Sequence, residues 1–218
     1  MGSSKQVMIE MLRNKEIIFW DFDGVIKESV DCKGAAYERL FLNYGEDISN
    51  RVREHHNLNG GMSRNEKFPI YLRWAGLEPS DFLVNDYCQR YSKLVFQDVI
   101  DAPVVPGVVN YLEANYNRQY FVLLTGTPHD EIIRILELLQ LKNYFREIYG
   151  SPTQKSEAIA EIMLRLKKNP SKSLMVGDSE IDYIAAMKNN VPFVLRCNSN
   201  NLSMQNLYDG PSFVSLDI

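Results

Sequence analysis

Cysteine is scarce in this chain: Cys32, Cys88 and Cys197 are the only three in 218 residues. They are far apart and form no Cys-x-x-Cys pair, which argues against a disulfide framework or a zinc ribbon and leaves them as buried or half-buried thiols. Histidine is as sparse, and His55, His56 and His129 have no spacing that suggests a metal triad. Long apolar runs are missing too. None approaches the roughly 20 residues a helix needs to span a bilayer, and residues 1–14, interrupted by Lys5, Glu10 and Arg13, contain no h-region of a secretory signal. Nor is there an excess of basic charge: 24 Lys and Arg against 28 Asp and Glu give a net charge of -4, with the cations scattered, so the electrostatic footprint of a nucleic-acid binder is lacking. There are no internal repeats or low-complexity tracts. These absences predict a cytoplasmic protein whose partners include neither nucleic acid nor membrane, expected as a monomer or weak homodimer.

What remains is ordinary globular composition, 45% hydrophobic and 24% charged, enough for one medium domain or a domain with a sizeable insertion. The chain is organised around residues 17–25, Ile-Ile-Phe-Trp-Asp-Phe-Asp-Gly-Val. An apolar run too short for a helix and stopped by Gly24 reads as a buried strand ending in two carboxylates. Side chains alternate along a strand, so Asp21 and Asp23 emerge on one side at its carboxyl end, where open α/β sheets place their ligands. Two carboxylates a few ångströms apart repel by about 4 kcal/mol at an effective dielectric of about 20, which calls for positive charge between them, most simply a divalent cation. The alternative is a pair of solvated acids in a polar turn.

The rest of the chain has a regular pattern. Residues 1–15 are a short amphipathic helix or a frayed lead-in. Helical periodicity at residues 35–42, 68–74 and 81–95 predicts a helical insertion, left through Pro103, Pro106 and Gly107. Then come a helix at 108–115, a strand at 120–124, a helix at 128–141, a strand around Ile148, a helix at 156–168, a strand at 173–176, a helix at 180–189 and a strand at 193–196. Residues 198–210 read as a polar loop, and residues 213–216 as a last edge strand. Alternating strands and helices of these lengths imply βαβ units: an α/β fold, a doubly wound parallel sheet of the Rossmann type, with a helical cap inserted after the first strand. The expected division is residues 1–26 and 104–218 for the core and 27–103 for the cap.

Other strand ends carry chemistry as well. Residues 122–124 lead into Thr125-Gly126-Thr127-Pro128, a hydroxyl and exposed backbone N–H groups ahead of a helix with Thr127 as N-cap and Pro128 at its first position, an anion-binding arrangement. Residues 174–176 lead into Gly177-Asp178-Ser179-Glu180-Ile181-Asp182, where Ser179 and Asp182 also have capping-box spacing. Lys155 opens a helix, where a cation opposes the dipole and calls for an anionic partner; pairing with Glu157 or exposure to solvent is the alternative. Together these groups suit phosphoryl transfer, which needs a carboxylate nucleophile, positive charge around the phosphoryl oxygens and a second acid at the leaving group.

Residues 21–25, 124–127, Lys155 and residues 177–182 resemble the four ordered motifs of the haloacid dehalogenase superfamily, and the insertion after the first motif is similar to its phosphoglycolate phosphatase and β-phosphoglucomutase branch. The resemblance spans residues 17–196. It implies that Asp21 attacks phosphorus to form an aspartyl-phosphate, that Asp23 protonates the leaving group and then activates water, and that Thr125 and the Gly126 N–H hold the phosphoryl oxygens, with Lys155 bridging Asp21 and the phosphoryl group. Magnesium would be bound by Asp21, the Asp23 backbone carbonyl and Asp178, supported by Asp182. Asp23 argues against the dehalogenases and phosphonatases of the superfamily. In the insertion, residues 59–67 are similar to the mutase lid loop, making Gly61, Ser63 and Arg64 substrate-binding candidates beside Gly24 and Gly126, although Ser63 with Glu66 also reads as a helix cap. Mutases place a histidine where this chain has Lys33. The expected protein is therefore a magnesium-dependent phosphatase of a small phosphorylated metabolite, with a phosphomutase or a non-catalytic binding protein on the same fold as alternatives.

Overall fold

A computed structural model describes residues 4–217. Six parallel strands form one sheet in the order β3-β2-β1-β4-β5-β6: β1 (Ile17–Trp20), β2 (Tyr120–Pro128), β3 (Glu147–Ser151), β4 (Ser173–Gly177), β5 (Phe193–Arg196) and β6 (Ser212–Phe213). The four residues of β1 are all buried, flanked by β2 and β4. Strand alternation divides the interior into two layers. Ile18, Trp20, Leu123 and Val176 belong to one cluster, which takes in α1 (Ser4–Arg13), α6 (Val108–Asn115) and α7 (His129–Leu138). Ile17, Phe19, Leu124 and Met175 belong to the other, with α8 (Lys155–Leu166) and α9 (Glu180–Lys188). Strands buried on both faces account for their near-continuous apolar sequences. The parallel connections bring the ends of β1, β2 and β4 together on one edge.

Between β1 and α6 lie four helices: α2 (Val30–Phe41), α3 (Glu46–Leu58), α4 (Arg64–Trp74) and α5 (Asp81–Asp101). They pack on their own aromatic interior, where Tyr37 stacks on Tyr91 with centroids 4.0 Å apart and Phe68 meets Tyr71 and Tyr87 edge-on. Ser63 caps α4 in a capping box with Glu66. The chain returns to the sheet through Gly107, at φ +79°, where a Cβ would lie 2.2 Å from the Leu216 carbonyl carbon. The C-terminal segment is fastened there by the Leu216 N–H, which donates to the Pro106 carbonyl at 2.9 Å.

Several elements differ from their sequence expectation. The second strand runs through Thr125, Gly126 and Thr127 to Pro128, with a register irregularity between Leu124 and Pro128, so α7 starts at His129 and Thr127 is not its N-cap. An irregular strand tolerates a glycine and a terminal proline that a regular central strand would not. The polar stretch after Asn198 contains α10 (Leu202–Leu207), and the last strand is only Ser212–Phe213. The long insertion helix continues to Asp101, and α3 is an additional helix. The lead-in is helical from Ser4; residues 1–3 lie outside the described residues. No helix among the described residues is long and apolar enough to cross a membrane.

Candidate active site

Asp21 follows the last residue of β1, and its N–H donates to the Val176 carbonyl at 2.9 Å, which extends the β1–β4 ladder by one bond. That bond holds its carboxylate inside the sheet edge, only 3% exposed. Oδ1 accepts from the Phe22 N–H at 2.8 Å and lies 2.8 Å from Lys155 Nζ. The same ammonium donates to Asp182 Oδ1 at 2.6 Å. Lys155 thus has two buried carboxylates as partners, and its ammonium is held well above the usual lysine range because their charge and hydrogen bonds outweigh the cost of burial. This rules out the exposed-lysine alternative. Asp182 itself is fully buried and fixed by the Ser179 hydroxyl at 2.6 Å and the Ser179 N–H at 3.1 Å, so its capping role and its place in the site coexist.

Carboxylate oxygens of Asp21, Asp178 and Asp182 all lie within 4.8 Å of one another. Burial, then the Asp182 charge, pushes the Asp21 carboxyl well above its ordinary value, and the same two causes raise Asp178 to about 7. Asp178 accepts a hydrogen bond from the Asn198 amide at 2.9 Å, and the Asn201 amide donates to its backbone carbonyl at 2.8 Å. Gly24, at φ +76°, leaves room for this carboxylate: a Cβ there would stand 2.0 Å from Asp178 Oδ2.

Asp23 is outside that trio. Lys33 Nζ reaches its Oδ2 at 2.5 Å, the Ser29 hydroxyl donates to Oδ1 at 2.6 Å, and the Thr127 hydroxyl lies 3.3 Å from Oδ2. Burial alone would raise this carboxyl, but the Lys33 charge and these hydrogen bonds outweigh it and hold the group below its ordinary value. With all four ionised, four carboxylates face two ammonium groups, an excess of two negative charges, and without a cation the rise at Asp21 and Asp178 is how the site lowers it. One divalent cation would balance the excess, and three buried oxygen donors suit a hard ion such as magnesium.

These groups border a cavity of about 320 Å³ between the sheet edge and the helical segment. Asp21, Asp23, Asp178, Gly126 and Thr127 line it from the sheet side; Lys33, His56, Gly61, Arg64 and Lys67 line it from the helices. The two sides are in close contact: a Cβ on Gly126 would lie 2.9 Å from the Gly61 carbonyl oxygen. Thr125 is buried beside the cavity and its Oγ1 accepts from the Thr127 N–H at 3.2 Å. The lid-loop candidates divide. Gly61 and Arg64 are on the cavity wall, the Arg64 guanidinium held there by two bonds to Glu131 of α7, at 2.9 and 2.7 Å, whereas Ser63 is not and spends its side chain on Glu66. Sequence reasoning noted Lys33 only for what it replaces. Ser29, Asn198, Asn201 and Glu131 were not singled out, because short polar residues after strands and on helices carry no signal until the chain is folded.

The chain belongs to the haloacid dehalogenase-like hydrolase family, whose model matches residues 17–195. A phosphorylated carbohydrates phosphatase of Thermotoga maritima is 29% identical over 183 residues, 78% of this chain and 80% of that protein. A phosphoglycolate phosphatase of Pseudomonas aeruginosa is 25% identical over 184 residues, 80% of this chain but 66% of its own length. Among solved structures, a predicted phosphoglycolate phosphatase of Haemophilus somnus has the same fold, with a TM-score of 0.71 at 16% identity over 93% of this chain and 95% of the other. A haloacid dehalogenase-like hydrolase of Streptococcus pneumoniae aligns with a TM-score of 0.64 at 16% identity, over 92% and 94%.

Proposed function

We propose that the protein is a magnesium-dependent phosphatase of a small phosphorylated metabolite, working in the cytoplasm through an aspartyl-phosphate. The observation that carries this reading is the buried Asp21 carboxylate, held by Lys155 at the mouth of β1 within a trio of carboxylates that lacks two positive charges. The relatives named as phosphatases of phosphoglycolate and of phosphorylated carbohydrates support the substrate class. Three unpaired cysteines agree with a reducing compartment.

An Asp21 oxygen attacks phosphorus as the ester P–O bond breaks, and the departing oxygen takes a proton from Asp23. Asp23 then accepts a proton from water, whose oxygen attacks phosphorus and releases inorganic phosphate, restoring Asp21. Thr125 and the Gly126 N–H hold the phosphoryl oxygens, and Lys155 offsets charge on Asp21 and on the phosphoryl group. Asp21, Asp178 and the Asp23 backbone carbonyl would hold magnesium, with Asp182 behind them; the ion would neutralise phosphoryl charge and orient the group for in-line attack. Residues 27–103 act as the cap and residues 1–26 and 104–218 as the core, the cap closing the cavity against water. Gly61 completes the binding surface on the cavity wall, and Gly24 supports it by leaving room for the Asp178 carboxylate.

The test is phosphate release from a panel of small phosphomonoesters with magnesium or with a chelator, wild type beside Asp21→Asn. Release that requires both magnesium and Asp21 is expected, with Asp21→Asn slower by at least about 1,000-fold. Isomerised sugar phosphate without free phosphate would instead indicate a mutase, and binding without turnover a silent scaffold.

A further inference from the structure

Lys67 of α4 is 1% exposed and lines the cavity from the helical side. Lys33, Arg64 and Lys155 each have a carboxylate within ion-pair distance. Lys67 has none among the described residues; its ammonium makes one hydrogen bond, to His56 Nδ1 at 2.9 Å, and stands 5.6 Å from the Tyr37 ring centroid. A lysine ammonium carries donors only, which makes Nδ1 the acceptor in this contact. Burial and the charges of Lys67 and Lys33 keep this histidine neutral, far below its ordinary value. Lys67 therefore receives a lone pair but no countercharge. Burial, with the Lys33 charge, lowers its ammonium to about 7 despite Asp23 and Glu66, a cost that an arriving anion would relieve. Asn57 lines the same cavity with its Oδ1 buried and without a partner, an acceptor that suits a hydroxyl of the substrate and leaves the anion to Lys67.

We propose that Lys67, oriented by His56, receives a second anionic group of the substrate, a carboxylate or second phosphate remote from the ester being cleaved, so that the protein prefers acidic phosphomonoesters to neutral ones. This rests on the phosphatase reading of the same site and narrows its substrate. The reacting phosphoryl group has its own positive partner in Lys155 on the opposite, sheet side, which leaves Lys67 for another part of the molecule. Lys67 binds and does not react; His56 is its positioning residue.

The experiment measures kcat and KM with magnesium on three-carbon phosphomonoesters ending in a hydroxyl, a carboxylate or a second phosphate, for wild type, Lys67→Met, Lys67→Arg and His56→Gln, each checked for folding by its thermal melt. In wild type, kcat/KM on at least one acidic ester is expected to exceed that on the neutral ester by about 10- to 100-fold, the scale of one charge-assisted hydrogen bond. Lys67→Met should bring that ratio to within about threefold of one, chiefly through KM, while Lys67→Arg retains part of it and His56→Gln lowers it. The two acidic arms identify the anion. Turnover without preference for either acidic ester, or a preference that survives Lys67→Met, overturns the inference and leaves Lys67 a structural amine. No turnover of any ester overturns the phosphatase reading, and the inference falls with it.

Discussion

The contact between Lys33 and Asp23 bears directly on the proposed use of one carboxyl as acid and then as base. Lys33 and Ser29 hold Asp23 ionised, which suits the step in which it takes a proton from water and opposes the step in which it must give one. Replacing Lys33 by methionine removes the cation while keeping a long side chain against Thr127. With its countercharge gone, the Asp23 carboxyl rises, and the acidic limb of the kcat profile should move to higher pH by about one unit. An unmoved limb in the Lys33→Met profile would mean that Asp23 is not the titrating base. From the sequence, Asp23 was found because a strand followed by Asp-x-Asp is a local pattern. Its partnership with Lys33 was not found, because a lysine in an amphipathic helix looks the same whether it faces water or a carboxylate.

Among the elements, α4, α5 and α7 meet in one polar contact. Arg64 from the start of α4 grips Glu131 of α7, which also accepts from Ser92 of α5 at 2.6 Å. Both charged side chains are largely shielded, 4% and 11% exposed, and the pairing raises the Arg64 guanidinium and lowers the Glu131 carboxyl against the opposing effect of burial. Glu131→Gln leaves the guanidinium buried without a countercharge and should cost about 3–5 kcal/mol in urea unfolding, less if the helical segment swings open and lets water in. A cost below about 1 kcal/mol would mean that the clamp is already hydrated. The strands were legible because both faces of this sheet are covered, which makes Ile17 to Trp20 and Leu174 to Val176 uninterrupted apolar runs. The irregular end of β2 and the short α10 were not: glycine and proline speak against strand, and Ser203 and Asn206 against helix, until neighbours override those preferences. The bond from Arg64 to Glu131 joins residues 67 positions apart, beyond any local pattern.

At the scale of the whole molecule, the crowding of carboxylates at the sheet edge couples folding to the magnesium ion proposed for it. Removing magnesium with a chelator should lower the Tm, since a ligand held by the folded state alone stabilises it. The pH dependence in chelator follows from Asp178, which titrates near 7 in the fold and near 3.9 in an unfolded chain. Stability from its protonated form is fully present below about pH 4 and is lost as pH rises through about 7, at up to about 1.4 kcal/mol per pH unit. In chelator, the Tm of wild type relative to Asp178→Asn should fall across that window, and saturating magnesium should flatten it. A flat difference in chelator would show that Asp178 does not take up the proton.

The central position of β1 also has a consequence in time. Ile17 pairs with Tyr120 on one side and Ser173 on the other, so the earliest made of the six strands is among the last to be enclosed. At about 5–20 residues per second, its apolar side chains wait roughly 5–20 seconds for β2 and longer for β4. During synthesis the helical segment can gather its own aromatic interior while the strand that leads to Asp21 is still bare. The nascent chain is thus adhesive until β4 has emerged, which makes it a client for whatever shields emerging apolar segments.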